Sequence, residues 1–411
     1  MIHQAKQKGR IMKRRMIAVL LSGILLCSAA GCGKEAVTDK STAASSSQEV
    51  TETPAAEESP EASSSSADST AESASASTSS ESSGDEGKEA DKKRIEITVP
   101  HKDGMEALYD TVDGLTVEKG SYIAVVAKDL SAGFWKAVKA GAQQALDDLN
   151  ASLGYTGNDK VYMTFEGPEN ESDTNSQINI IDSVISENPD ALILGIIDQQ
   201  SGQAQMEEAS DSQIPVIIAD SGIESDLITS TCATDHAAAA KLAAIGNSGE
   251  VAIVAHQYNT ESSAERVEAF KKEIEEKYTD VKVVQVNYGD GEESIADMLK
   301  NTLETYPALK GIFCTNEDMA DQTLDALADM ENTEQIQIVG FDSGEEQQKA
   351  IQEGREYGTV TQNPYGLGYA AIVAAVRAIQ GLSVDQKIDT GYQWLDKDTI
   401  DLETNQKYLY N

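Results

Sequence analysis

The chain is 411 residues long and carries 70 acidic against 32 basic side chains, a formal net charge of −38 at neutral pH. That balance repels nucleic acid and anionic membrane surfaces and excludes both as electrostatic partners. Four cysteines and four histidines, with no CxxC, no HExxH and no Walker or GxGxxG loop, leave no basis for a disulfide framework, a metal site or a cofactor.

In chain order, the first basic cluster is Lys6, Lys8, Arg10, Lys13, Arg14 and Arg15. The apolar run Met16–Leu26 that follows is too short to span a bilayer, which needs about 20 residues. Basic, apolar and small-residue regions in this order make a secretory signal over residues 1–31. The ending Ala29-Ala30-Gly31-Cys32 resembles a bacterial lipobox. The resemblance implies cleavage before Cys32, lipid on its thiol, and a mature protein anchored to the outer face of the cell membrane. Two or more acyl chains anchor stably where one does not.

Residues 32–93 are expected to be a disordered tether. Ser, Ala, Thr, Glu, Asp and Pro dominate, with no apolar period to offset chain entropy. Residues 94–118 are transitional, and the alternation Arg94–Val99 suggests an extra strand.

From Gly120 onward, apolar runs alternate with amphipathic helices. The runs are Tyr122–Val126, Val161–Phe165, Ala191–Ile197, Pro215–Ala219, Val251–Ala255, Val281–Val286, Gly311–Cys314, Ile336–Gly340 and Gly358–Thr361. One intervening helix places Phe134, Val138, Ala142, Ala145 and Leu149 on a single face. Continuous apolar strands between helices predict α/β architecture with parallel sheets covered on both faces. The length predicts two doubly wound, Rossmann-like lobes joined by a hinge. The boundaries fall at 119–234 plus 363–391 for the N-terminal lobe, and 235–362 plus 392–411 for the C-terminal lobe.

Such sheets bind ligands beyond the carboxyl ends of their strands. Lys128, then Phe134 and Trp135, follow the first run, Asp220 the fourth, Arg266 the fifth, Asn316 the seventh, Asp342 the eighth and Gln362 the ninth. Planar Asp, Asn, Gln and Arg groups can each engage neighbouring hydroxyls, and an aromatic ring packs on the C–H face of a sugar. No nucleophile with an orienting base is visible, so an enzyme is not expected.

The segments carrying these residues resemble the ribose/galactose type of periplasmic sugar-binding protein, the receptor of ABC importers. They are Phe134–Ala142, Ile214–Asp220, Arg266–Phe270, Ile312–Ala320, Val339–Asp342 and Val360–Tyr365. The resemblance implies a type I periplasmic-binding-protein fold and a ligand site at Lys128, Phe134, Trp135, Asp220, Arg266, Asn316, Asp342 and Gln362. It further implies a monomeric lipoprotein that closes on a small sugar or sugar-like ligand and hands it to ABC permease subunits. The alternative is a sensor lipoprotein feeding a chemotaxis or two-component partner. The family's Asn-Asn-Pro is Ser131-Ala132-Gly133 here, and Ser221 and Ala264 stand where two arginines are expected. These departures set the pocket apart from a plain ribose site.

Each residue also has a plainer role. Asp220 and Asp342 could cap the following helices, and Arg266 could be a surface charge. Phe134 and Trp135 lie about 100° apart on a helix, so both are not expected to face the same core. Lys128 meets an internal carboxylate, Asp220 or Asp342, or an anionic ligand group. His236 fits a ligand contact or a hinge equally, His256 reads as structural, and Cys232 and Cys314 read as two buried free thiols in preference to the alternative, a bridge between them.

Overall fold

The computed structural model describes residues 97–100, 106–243 and 248–410. The signal segment, Cys32, the tether and Arg94–Glu96 lie outside the described residues. The expected extra strand is short: β1 (Thr98–Pro100) pairs antiparallel with β2 (Glu106–Leu108) and joins neither large sheet. Behind it Tyr109, Val112, Leu115 and Val117 pack into the core of the first lobe.

That lobe is built from β3 (Tyr122–Val126), α1 (Gly133–Leu153), β4 (Tyr162–Glu166), α2 (Thr174–Ser186), β5 (Ala191–Leu194), α3 (Gln203–Asp211), β6 (Val216–Ala219) and β7 (Ser230–Ala233). The second comprises α4 (His236–Leu242), β8 (Gly249–Ala255), α5 (Glu261–Lys277), β9 (Val281–Tyr288), α6 (Ile295–Thr305), β10 (Leu309–Cys314), α7 (Glu317–Ala328), β11 (Gln337–Phe341), α8 (Glu345–Glu353) and β12 (Gly358–Gln362). The chain then returns through α9 (Pro364–Gln380) and β13 (Lys387–Asp389) to the first lobe, and ends in the second with β14 (Tyr392–Asp396).

Two six-stranded sheets result, ordered β13-β7-β6-β5-β3-β4 and β14-β12-β11-β10-β8-β9. All neighbours are parallel except β14, which runs antiparallel to β12. The chain re-enters the second lobe at Thr390–Gly391, beside the carboxyl end of β12, so β14 starts opposite Gln362 and runs back along β12 to Gly358. The two doubly wound α/β lobes expected from the strand-helix alternation are therefore observed. Val125, Ile193 and Ile217 lie in the buried centre of the first sheet, and Ile253, Phe313 and Val339 in that of the second.

Helix α9 is buried from Pro364 to Val376, as its Ala- and Val-rich sequence dictates. It crosses α1 at Gly141 and Gly368, where an added Cβ would collide with the backbone of the partner helix. Three chain crossings join the lobes, at Thr234–Asp235, Asn363 and Thr390–Gly391. They are bonded to one another: Thr390 N donates to Ala233 O (2.9 Å) and Asn363 Nδ2 to Thr390 O (3.0 Å). Cys232 and Cys314 are free and buried, on β7 and β10.

Candidate functional site

The carboxyl ends of both sheets face one cleft with a cavity of about 480 Å³. Lys128, Phe134, Trp135, Asp220, Arg266, Asn316, Asp342 and Gln362 all line it. The strand-end rule thus brings every one of its candidate residues within the described chain to a single place.

Asp220 terminates β6 and Asp342 terminates β11, and both adopt left-handed backbone geometry, with φ of 73° and 80°. Asp tolerates this region better than most residues. The turn lifts each carboxylate out of its sheet and over the cleft. Neither caps the helix that follows it. Asp342 instead accepts from Glu317 N at the start of α7 (Oδ2, 3.1 Å) and from Gln362 Nε2 (Oδ1, 2.6 Å).

Asp220 lies in a buried cationic nest. Lys128 Nζ is 2.8 Å from its Oδ2, and Arg266 Nη2 is 3.9 Å from its Oδ1. Burial opposes ionisation of Asp220, but Lys128, His236 and Arg266 hold it well below the usual carboxylate range. Of the alternatives open for Lys128, the internal pair with Asp220 is the one observed.

Arg266 is buried rather than a surface charge. Its guanidinium stacks over Phe341 at 3.7 Å, Nη1 donates to Thr315 O (2.6 Å), and Nη2 donates to His236 Nδ1 (3.1 Å). His236 Nε2 contacts the Asp220 carbonyl (3.1 Å). A carbonyl only accepts and a guanidinium only donates, so the ring is the neutral Nε2-H tautomer. Burial and Arg266 lower its pKa to about 4, against the pull of Asp220. His236 therefore braces Arg266 and Asp220. His256 lies in the cleft lining and contacts Thr315 Oγ1 through Nδ1 (2.9 Å).

Phe134 and Trp135 form an edge-to-face pair, 5.5 Å between centroids. Both belong to the same buried core, contrary to the expectation from their angular separation. The reason is a second wall: the C-terminal segment returns over α1 and sets Tyr410 against Phe134, at 6.2 Å. Trp135 lies against Gly195, where a Cβ would overlap its ring. The two rings are core on one side and cleft wall on the other.

Polar bonds cross between the lobes. Asn316 accepts from Met319 N (3.1 Å), capping α7, and donates from Nδ2 to Glu171 Oε1 (3.1 Å). Gln257 donates to the Glu171 carbonyl, Gln199 N to Asn259 O (2.9 Å), and Gly222 N to Glu261 Oε2 (2.6 Å).

Glu171, Gln257 and Glu317 escape the sequence reading. Glu171 lies in the loop beyond β4 and was discoverable by the same strand-end rule. Glu317 is the direct neighbour of Asn316. Burial, then Asp342, Asp321 and Asp318, push Glu317 up to about 8, while Lys136 opposes. Burial pushes Glu171 up to about 7, with Lys128 opposing and nearby acids adding.

The chain matches the periplasmic binding protein domain over residues 123–383 and belongs to that family, one of binding proteins rather than enzymes. Among its relatives is the ribose import binding protein of Haemophilus influenzae, 25% identical over 272 residues, covering 65% of this chain and 88% of that protein. The D-allose-binding periplasmic protein of Escherichia coli is 26% identical over 293 residues, covering 65% and 89%. Similar solved structures include a carbohydrate transporter solute-binding protein from Agrobacterium radiobacter in complex with D-arabinose. It is 26% identical, with a TM-score of 0.64, covering 70% of this chain and 98% of that one. An ABC transporter solute-binding protein from Agrobacterium vitis with bound D-fucose is 27% identical, with a TM-score of 0.64, covering 71% and 100%.

Proposed function

We propose that this chain is an extracytoplasmic solute-binding lipoprotein that captures a small polyhydroxylated ligand between its lobes and delivers it to an ABC importer. The observation that carries the reading is the convergence of Asp220, Arg266, Asn316, Asp342 and Gln362 from the two lobes on one cavity walled by Phe134 and Trp135. Its volume of about 480 Å³ falls in the range of small-molecule sites, about 300–1,000 Å³. The names of the relatives, which bind ribose and allose, and the sugars held by similar structures support the same class.

The mechanism is hinge closure. The aromatic wall and Asp220 belong to one lobe, while Asn316, Asp342 and Gln362 belong to the other, so only the closed form satisfies a ligand's hydroxyls from both sides. The bonds of Glu171 and Gln257 across the cleft fasten that form and expel water from the polar contacts. The closed surface is what permease subunits would read.

A thermal-shift screen against sugars, polyols and sugar acids identifies the ligand, since a ligand at about 100 times its Kd adds about 2.7 kcal/mol. With that ligand, Asp342→Ala is expected to weaken binding about ten- to a hundred-fold, because hydroxyls left buried and unpaired cost about 1–3 kcal/mol. Trp135→Ala is expected to weaken it through lost ring contact. Unchanged calorimetric affinity in both variants overturns the site. The anchoring part rests on Ala29-Ala30-Gly31-Cys32. Cys32→Ala is expected to release the protein into the medium, and membrane retention of that variant overturns the lipid anchor.

A further inference from the structure

The charges in the cleft are unevenly distributed. On one side Asp220 and Glu171 face Lys128 and Arg266, with Lys128 Nζ 2.8 Å and 3.9 Å from the two acids. On the other side stand Asp342, Glu317, Asp318 and Asp321, all in the cleft lining. Among the described residues none of these four is ion-paired. Lys136 on α1 is the cation whose field reaches Glu317, and it forms no ion pair there.

A second observation is independent of the charges. Gln362 is 2% exposed and lines the cavity, and its Oε1 has no hydrogen-bond partner. The amide orientation is set by chemistry: a carboxylate only accepts, so Nε2 must face Asp342, and it does so at 2.6 Å. The carbonyl end is left as a free acceptor. This side of the cleft therefore offers a free acceptor and negative charge. Its donors (Gln362 Nε2, Glu317 N and the Tyr410 hydroxyl) are spent on Asp342, and among the described residues no cation pairs with its acids.

A hydroxyl donates one hydrogen bond but offsets no charge. An ammonium group donates three, accepts none and carries the missing charge. Asp342 is buried, Glu317 and Asp321 are half-buried and Asp318 is exposed. A carboxylate withdrawn from water without a counter-charge is costly, and Glu317 meets that cost by holding its proton. A divalent ion is a poorer match, because among the described residues no three acids, thiols or imidazoles are grouped to hold a metal. A sugar acid is poorer still, because Lys128 and Arg266 are engaged by Asp220.

We propose that the ligand is an aminated polyol, an amino sugar in its cationic form, with its ammonium group held by Asp342, Glu317 and the side-chain oxygen of Gln362. The inference rests on the polyol reading of the cleft and narrows it.

The test is a matched panel on the full chain, by thermal shift and calorimetry. Glucosamine, galactosamine and mannosamine are each set against the parent hexose and the N-acetylated form, which lacks the charge. At least one free amine is expected to bind ten-fold or more tightly than both counterparts. Glu317→Gln is expected to weaken that amine about ten-fold more than it weakens the parent hexose. If a neutral hexose, its N-acetylated form or an added sugar acid binds as tightly as the amine, the cationic inference is overturned and the polyol reading stands. If calcium or magnesium chloride alone stabilises the protein and Glu317→Gln abolishes the effect, the acids are a metal site and the inference fails. If no amine in the panel binds while a neutral sugar or polyol of the wider screen does, the cationic inference falls and the polyol reading stands. If nothing in either set binds, the polyol reading falls and takes the inference with it.

Discussion

Asp220 and Asp342 are the same backbone device used in two lobes. Each ends an inner strand, each is followed by Ser and Gly, and each donates its N–H across to the next strand, to Cys232 O and Val360 O, both at 2.9 Å. Each turns to positive φ. Their surroundings differ completely. Asp220 is compensated by Lys128 and Arg266, whereas Asp342 has neutral partners, the Gln362 amide, one helix N–H and the Tyr410 hydroxyl, and no cation. The backbone sets where a carboxylate stands, and the side chains around it decide whether it holds the fold together or awaits a partner. One half of the cleft is electrostatically complete in the protein alone, and the other half is not.

The sharpest way to break this comparison is to remove a cation from the complete half. Lys128→Met leaves Asp220 buried with its nearest charge partner gone, which is expected to cost about 3–5 kcal/mol in urea unfolding. Adding Asp220→Asn to that variant should restore much of the loss, since the two share one interaction. Asp342→Asn, measured the same way, is expected to cost about 1 kcal/mol or less, because it removes a hydrogen-bonded charge that nothing compensates. Equal losses for Lys128→Met and Asp342→Asn would show the two halves to be alike.

A smaller effect sharpens the comparison through pH. Glu317 and Glu171 are raised, to about 8 and about 7, from the ordinary 4.5, with burial the main cause of both shifts. A raised acid favours the fold while protonated, so its contribution is full below pH 4.5 and is lost as pH climbs through 7 and 8. Asp220, held low, has the opposite sign: its contribution is present above the ordinary value of 3.8 and is lost as pH falls through its depressed pKa. The ligand-free Tm is therefore expected to decline from about pH 5 to about pH 9. Glu317→Gln should flatten the upper part of that decline, and calorimetric scans across the range check it. A Glu317→Gln profile as steep as that of the parent protein would mean Glu317 titrates normally.

Much of the site was legible because strand ends are legible. Asp220, Asn316, Asp342 and Gln362 each follow an apolar run within two residues, and a doubly wound sheet leaves such residues only one place to go. Glu171 was harder to see, since several loop residues separate it from β4. The strands β7, β13 and β14 were missed because they lie toward the sheet margins. Ser230–Ala233 and Lys387–Asp389 are short, and Tyr392–Asp396 is half-buried, so none has the continuous apolar run of a central strand.

The order of apolar runs and amphipathic helices by itself determined two parallel-sheet lobes and the end of each sheet where a ligand belongs, because periodicity and length are local properties of the chain. What Lys128, Phe134 and Trp135 do was decided only by the tertiary structure. Lys128 pairs with Asp220 rather than Asp342, and Phe134 joins the core of Trp135 because the C-terminal Tyr410 closes over it. Those outcomes depend on residues far apart in sequence meeting at one point in space. Charge compensation and packing act through distance, and no local pattern encodes which distant partner arrives.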